Sequence, residues 1–202
     1  MALSLTKGQK LSLDKVAPGL VHVTVGLGWR SRVTTGEKFD LDASSFGLDR
    51  IDDDAKLIDD TWFIFYGQTV SPDGSVSHSP DDTEGAEDDA AGDQETIDVD
   101  LSKVSGNVAK IIFTATIYEF RKRGQTFGQV SNAYIRLVNS VTGEEVLRYD
   151  LGEDYSTETA VEFGALYRGP DGSWKFNAIG DGYDGGLSQM CARYGLDIPE
   201  EQ

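Results

Sequence analysis

The chain has 202 residues, 18 of them basic and 35 acidic, for a formal net charge of −17 at pH 7. Hydrophobic residues make up 39%, enough for the packed core of one domain spanning residues 1–202. This balance excludes a basic face for direct nucleic-acid binding, and Cys191, the one cysteine, excludes an internal disulfide framework or a Cys-rich zinc site. No stretch approaches the ~20 apolar residues needed to cross a bilayer. The N-terminus alternates polar and apolar residues and lacks the apolar run of a signal peptide, so a cytoplasmic protein is expected.

Along the chain the dominant pattern has a period of two, as a half-buried strand requires. It begins with Leu3/Leu5, Leu11/Leu13 and Val21/Val23/Val25 and continues through Phe39–Phe46. Trp62–Tyr66 reads as a buried strand. Thr96–Leu101, Val108–Phe120, Ala133–Val138, Val146–Leu151, Thr159–Tyr167 and Trp174–Ile179 follow. Turn signals separate them, among them Pro72-Asp-Gly74, Pro170-Asp-Gly172 and Gly180-Asp-Gly182. About ten strands with short turns predict an all-β fold, an antiparallel β-sandwich. One helix is expected near the end, where Leu187, Met190, Cys191 and Tyr194 recur at helical spacing and Gly195 can stop it. Gly124–Gln129 is Gly-rich and reads as a hairpin turn beside the basic run Arg121–Arg123, not as a nucleotide cradle.

The charge is concentrated. Residues 40–100 hold 19 acidic side chains against two basic ones, Arg50 and Lys56, and so carry the whole net charge. Crowded like charges raise the free energy of a compact state. The block is therefore either solvated and disordered, or folded around hard cations that neutralise it. Two long acidic stretches interrupt the strands, Asp49–Asp60 and Ser77–Glu95; the second mixes carboxylates with Gly and Thr, as a calcium loop does.

Asp40-Leu-Asp42 has predictable geometry, because residues i and i+2 of a strand project on one side. Two adjacent carboxylates repel unless one is protonated or a cation sits between them. The pair could supply two of the six to eight oxygens that calcium takes, and the acidic stretch most of the others. A solvent-facing edge is the alternative. There is no EF-hand: after Asp40 the sixth position is Ser45 and the twelfth is Ile51. His22, His78 and Cys191 are too scattered to suggest zinc, and His22 reads as a surface histidine. Neither a nucleophile elbow nor a phosphate loop is present.

A set of motifs runs in order along the chain: Gly26-Leu-Gly-Trp29, Phe39-Asp-Leu-Asp-Ala-Ser-Ser-Phe46, Phe63-Ile-Phe-Tyr66, Ser71-Pro-Asp-Gly-Ser-Val-Ser-His78, Gly124-Gln-Thr-Phe-Gly-Gln-Val130, Ala133-Tyr-Ile-Arg-Leu-Val138, Arg148-Tyr-Asp-Leu151, Ser156-Thr-Glu-Thr-Ala160, Leu166-Tyr-Arg168 and Gly182-Tyr-Asp-Gly-Gly-Leu187. Together they resemble the TerD family of tellurite-resistance and general stress proteins. The resemblance implies a cytoplasmic β-sandwich that binds Ca2+, has no established enzymatic activity, and works with partner Ter proteins, one of them membrane-embedded. It implies metal ligands at Asp40 and Asp42, then Asp81 and Asp82, a carbonyl from Gly85, a side chain from Glu87, and Asp93 and Glu95 at the acidic end of the loop. Glu119 stands where the family has Asp. The chain departs from the family pattern at Pro80-Asp-Asp82 and Asp93-Gln-Glu95, and Asp49–Asp60 lies outside the family core.

The expectation is thus a non-enzymatic calcium-binding stress protein whose ion-loaded acidic loops form a partner surface, with a peripheral place at the inner membrane face as an option. A hydrolase using the acidic cluster and a scaffold with disordered acidic loops are the alternatives.

Overall fold

Val23, Val25 and Leu27 are buried along one strand, and Ile111, Phe113, Ala115 and Ile117 along another. Rows of this kind put an apolar face on each of two sheets, and the faces pack together as a β-sandwich. The computed structural model describes residues 2–31, 39–79, 92–152 and 155–199. Numbered in chain order, the strands of one sheet lie side by side as β1 (Leu3–Leu5), β10 (Glu145–Asp150), β9 (Val130–Asn139), β3 (His22–Ser31), β7 (Glu95–Asp100) and β6 (Val76–His78). The second sheet runs β2 (Lys10–Ser12), β12 (Trp174–Tyr183), β11 (Ala160–Arg168), β8 (Lys110–Ile117), β4 (Leu41–Leu48) and β5 (Phe63–Ile64). Neighbours are antiparallel except β1 and β10, whose Leu3↔Leu147 register is parallel.

The expected terminal helix is α3 (Gly186–Arg193). Met190, Cys191 and the following Tyr194 are buried against Phe46, Leu48, Ile112 and Ala160 on the outer side of the second sheet. A second apolar layer therefore forms outside the sandwich.

Local physics moved several boundaries. Leu13 leaves the strand pattern to open the one-turn helix α1 (Leu13–Val16). Trp62 lies in a 3-10 turn, Asp60–Trp62, because the Asp59 carboxylate accepts the Thr61 N–H at 2.9 Å and caps it. The strand expected over Val108–Phe120 stops at Ile117, since Glu119 adopts a left-handed backbone (φ 49°, ψ 35°) and opens α2 (Phe120–Arg123). Gly124–Gln129 is not a hairpin turn: the chain closes α2 at Gly124 and forms a second 3-10 turn, Phe127–Gln129, burying Phe127. Strand β6 is too short for its alternation to stand out in sequence.

The acidic stretch Asp49–Asp60 is folded. Ala55 is buried, the Leu57 N–H donates to the Tyr194 carbonyl at 3.0 Å, and Lys56 Nζ donates to the Arg193 carbonyl at 2.6 Å. Those bonds dock it on the end of α3. The Lys56 N–H, at 3.0 Å, also holds the Asp49 carboxyl below the usual range.

Register places the site. Leu41 pairs with Ile117, Leu27 with both Glu95 and Ile135, and Ala160 with Thr116. The start of β4, the end of β8 and the starts of β7 and β11 thus share one end of the sandwich.

Candidate metal centre

Five of the nine expected ligands fall among the described residues, and all five lie at this end. Asp81, Asp82, Gly85 and Glu87 lie outside the described residues. Leu41 and Ala43 turn into the core, which leaves Asp40 and Asp42 half-buried on the outward side of the second sheet, as strand alternation requires. Asp42 sits opposite Thr116, and the Asp40 carbonyl accepts the Tyr118 N–H at 2.9 Å. That bond sets Asp40 beside the residue preceding Glu119.

Glu119 occupies a region of backbone space that L-residues other than Asn and Asp seldom enter, at a cost of roughly 1–2 kcal/mol. Its carboxylate accepts from Lys122 Nζ at 3.1 and 3.2 Å. Arg123 lies between it and Asp40, with Nε 3.6 Å from Glu119 Oε2 and Nη2 3.9 Å from Asp40 Oδ2. Strained residues persist where surrounding structure over-determines them, commonly at functional sites.

Asp93 is placed differently. It lies on the outer face of the first sheet, accepting from Arg136 Nε at 2.8 Å (Oδ1) and 3.1 Å (Oδ2), and from Arg136 Nη2 at 3.0 Å. The Tyr134 hydroxyl donates to Oδ1 at 2.9 Å. Burial, and then the charge of Asp93, push the Tyr134 phenol up to about 12. The bonds from Arg136 to Asp93 raise the guanidinium above its ordinary value. Glycine makes room for this: a Cβ at Gly26 would stand 2.1 Å from Asp93 Oδ2, and one at Gly28 2.1 Å from Tyr134 Cζ. The neighbouring Gln94 is fastened too, its N–H to the Leu27 carbonyl and its Oε1 to the Trp29 N–H.

Glu95 faces the interior, 2% exposed, with His78 Nε2 at 3.6 Å from its Oε2. Both His78 ring nitrogens face carbonyl oxygens, Nδ1 that of Ser79 at 2.6 Å and Nε2 that of Ala43 at 2.9 Å. The ring is thus held between two carbonyl oxygens, beside the Glu95 carboxyl group. It also bridges the sheets, since Ala43 is in β4 and His78 in β6.

Chemically the donors are hard. Asp40, Asp42 and Glu119 offer carboxylate oxygens of the kind calcium takes, and a positive charge already rests between two of them. In donor type alone these three suit the ion. Asp93 and Glu95 are matched to Arg136 and His78, and to reach an ion each would have to leave its partner. Among the described residues no group of three or more His, Cys, Asp or Glu side chains converges as a metal site. The described portion therefore offers part of a ligand set. The sequence reading did not pick out Arg123, Arg136, Tyr134 and His78 as the partners of these acids. The alternation in Ala133-Tyr-Ile-Arg136 opposite Gly26-Leu-Gly28 was the available signal: two large polar side chains facing two bare backbones.

The TerD domain family model matches residues 1–194. The chain belongs to the TerD family. It is 51% identical over 197 residues to the tellurium resistance protein TerD of Alcaligenes sp, covering 98% of this chain and 99% of that one. It is also 50% identical over 199 residues to general stress protein 16U of Bacillus subtilis (strain 168), covering 98% and 100%. The crystal structure of a TerD homologue from Streptomyces coelicolor A3(2) superposes with a TM-score of 0.64 at 21% identity, over 86% of this chain and 96% of that one, and shows the same fold. This TerD-family chain thus sits among proteins named for tellurium resistance and general stress, and neither of these two relatives carries an enzymatic name. No helix among the described residues is long and apolar enough to cross a membrane.

Proposed function

We propose that this TerD-family protein is a non-enzymatic calcium-binding module of the stress response. Ca2+ would gather on Asp40, Asp42 and Glu119, with Asp81, Asp82, Gly85 and Glu87 completing the shell. Asp93 and Glu95 sit where the acidic stretch rejoins the sheet, and they serve it as anchors tied to Arg136 and His78. One observation carries the reading. Asp40, just before β4, and Glu119, just after β8, both stand beside the Arg123 guanidinium, in a chain whose acidic block calls for more positive charge.

The non-enzymatic part draws on the relatives' names, which describe resistance and stress. The loaded acidic end would present the surface for partner Ter-family proteins, one of them membrane-embedded. The protein would then work in the cytoplasm or peripherally at the inner membrane face.

Calcium titration by calorimetry, paired with thermal unfolding, tests this. Binding to the native state stabilises it by RT ln(1 + [L]/Kd), about 2.7 kcal/mol when free ion is roughly a hundredfold above Kd. The expected result is saturable binding and a calcium-dependent rise in melting temperature. Both should be lost when Asp40→Ala and Asp42→Ala are combined. A melting curve unmoved by millimolar calcium overturns the reading.

A further inference from the structure

The contacts of Arg123 with Asp40 and Glu119 contrast with the fork of Arg136. Arg136 holds Asp93 at 2.8–3.1 Å in hydrogen-bonding geometry. Arg123 stands 3.6 Å from Glu119 and 3.9 Å from Asp40, beyond hydrogen-bond length, so charge rather than directed bonding relates it to these two carboxylates. Its side chain is nonetheless the more buried partner, 15% exposed against 27% for Asp40 and 28% for Glu119. The guanidinium carbon lies 5.2 Å from the centre of the Tyr118 ring, which offers it a resting place of its own.

A divalent ion bound to Asp40 and Glu119 would face this guanidinium across the same few ångströms. Like charges at that separation repel strongly where water is partly excluded. We infer that Arg123 is a tethered counter-ion: it holds Asp40 and Glu119 together before metal arrives, and competes with calcium for them. This rests on the calcium reading above and adds to it a residue that sets affinity. On binding, the guanidinium gives up the carboxylates and stays on the Tyr118 face. The tether thereby trades tight binding for an apo state that is not torn by its own acids.

The test is calcium calorimetry on the full chain, comparing the natural protein with Arg123→Gln and with Arg123→Met, which keeps an apolar stem against Tyr118. Both variants should bind calcium roughly five- to tenfold more tightly at unchanged stoichiometry, the scale of relieving the competition of partly exposed ion pairs. Both should melt lower than the natural protein in chelator. Unchanged or weaker affinity in either folded variant overturns the inference and leaves the calcium reading standing. An absence of calcium binding by the natural protein removes both. A second readout needs no variant: the side-chain Nε–H resonance of Arg123 should move along the calcium isotherm, and a resonance that stays put through saturation overturns the proposal.

Discussion

Asp93 lies in the fork of Arg136, and that pairing is possible because the strand beneath carries no side chain at Gly26. The three N–H···O contacts run from 2.8 to 3.1 Å, and Asp93 is 9% exposed at its side chain against 29% for Arg136. Bidentate Arg–carboxylate pairs of this geometry are among the stronger polar contacts a protein makes. Gly26→Ala would put a methyl group 2.1 Å from Asp93 Oδ2 and push the carboxylate out of the fork. We expect a loss of about 2–4 kcal/mol in urea unfolding, the sum of overpacking and a broken charged contact. A loss below about 0.5 kcal/mol would mean that Asp93 is free to move aside.

Glu119 sits in left-handed backbone, where glycine carries no penalty. In Glu119→Gly the relief of strain should roughly offset the lost contacts with Lys122 and Arg123 and the added freedom of the unfolded chain, leaving the calcium-free protein within about 0.5 kcal/mol of the natural one. The same change removes a proposed ligand, so the calcium-dependent rise in melting temperature should shrink. Thermal unfolding with and without chelator reads both effects.

Asp100 gives a pH dependence with a definite sign. Its carboxylate accepts from the Ser102 hydroxyl at 2.6 Å and N–H at 3.1 Å and pairs with Lys103, which together bring its pKa down from 3.8 to about 2. A depressed folded pKa adds stability that is present above the unfolded value and lost as pH falls through the folded one. The stability gap between the natural protein and Asp100→Asn should hold at neutral pH and close between about pH 4 and pH 2. Denaturant unfolding at intervals over that window checks it.

Glu162 fastens the outer helix layer. It is 3% exposed, and its Oε1 accepts from the Tyr194 hydroxyl at 2.5 Å and the Tyr183 hydroxyl at 3.0 Å, with Arg193 Nε at 3.5 Å. Burial raises both phenols, Tyr194 the more deeply. Glu162→Ala would strip the acceptor from two phenols and a guanidinium, at a cost of about 2–3 kcal/mol. Cys191 is fully buried on the inner face of α3 and reports on its docking. Its thiol should react with a disulfide reagent much faster in Glu162→Ala than in the natural chain. Equal rates would show that the apolar contacts of Met190 and Tyr194 hold the helix alone.

Much of the architecture was legible from pattern, because burial on one face imposes a period of two. Val23/Val25 and the alternation from Leu41 onward read directly onto the strands they form, while Val21, read with them, lies ahead of β3 and is exposed. The helix at Leu187–Tyr194 was equally plain from its spacing. Pattern failed where a local bond outweighed it. The Asp59 cap turned Trp62 out of a strand, and the left-handed Glu119 ended β8 early. Neither event has a periodic signature.

The site divides along the same line. Composition and spacing alone established that a neutral frame carries a concentrated block of acids and that Asp40 and Asp42 share a face, and the ordered motifs carried the resemblance to the TerD family. Which base meets which acid was decided only by tertiary structure. Arg123 reaches back across 83 positions to Asp40, and Arg136 across 43 to Asp93. Such pairs arise because strands distant in sequence become neighbours in a sheet. A charge's partner is set by that register and by the two glycines that leave room for it, not by anything the local residues encode.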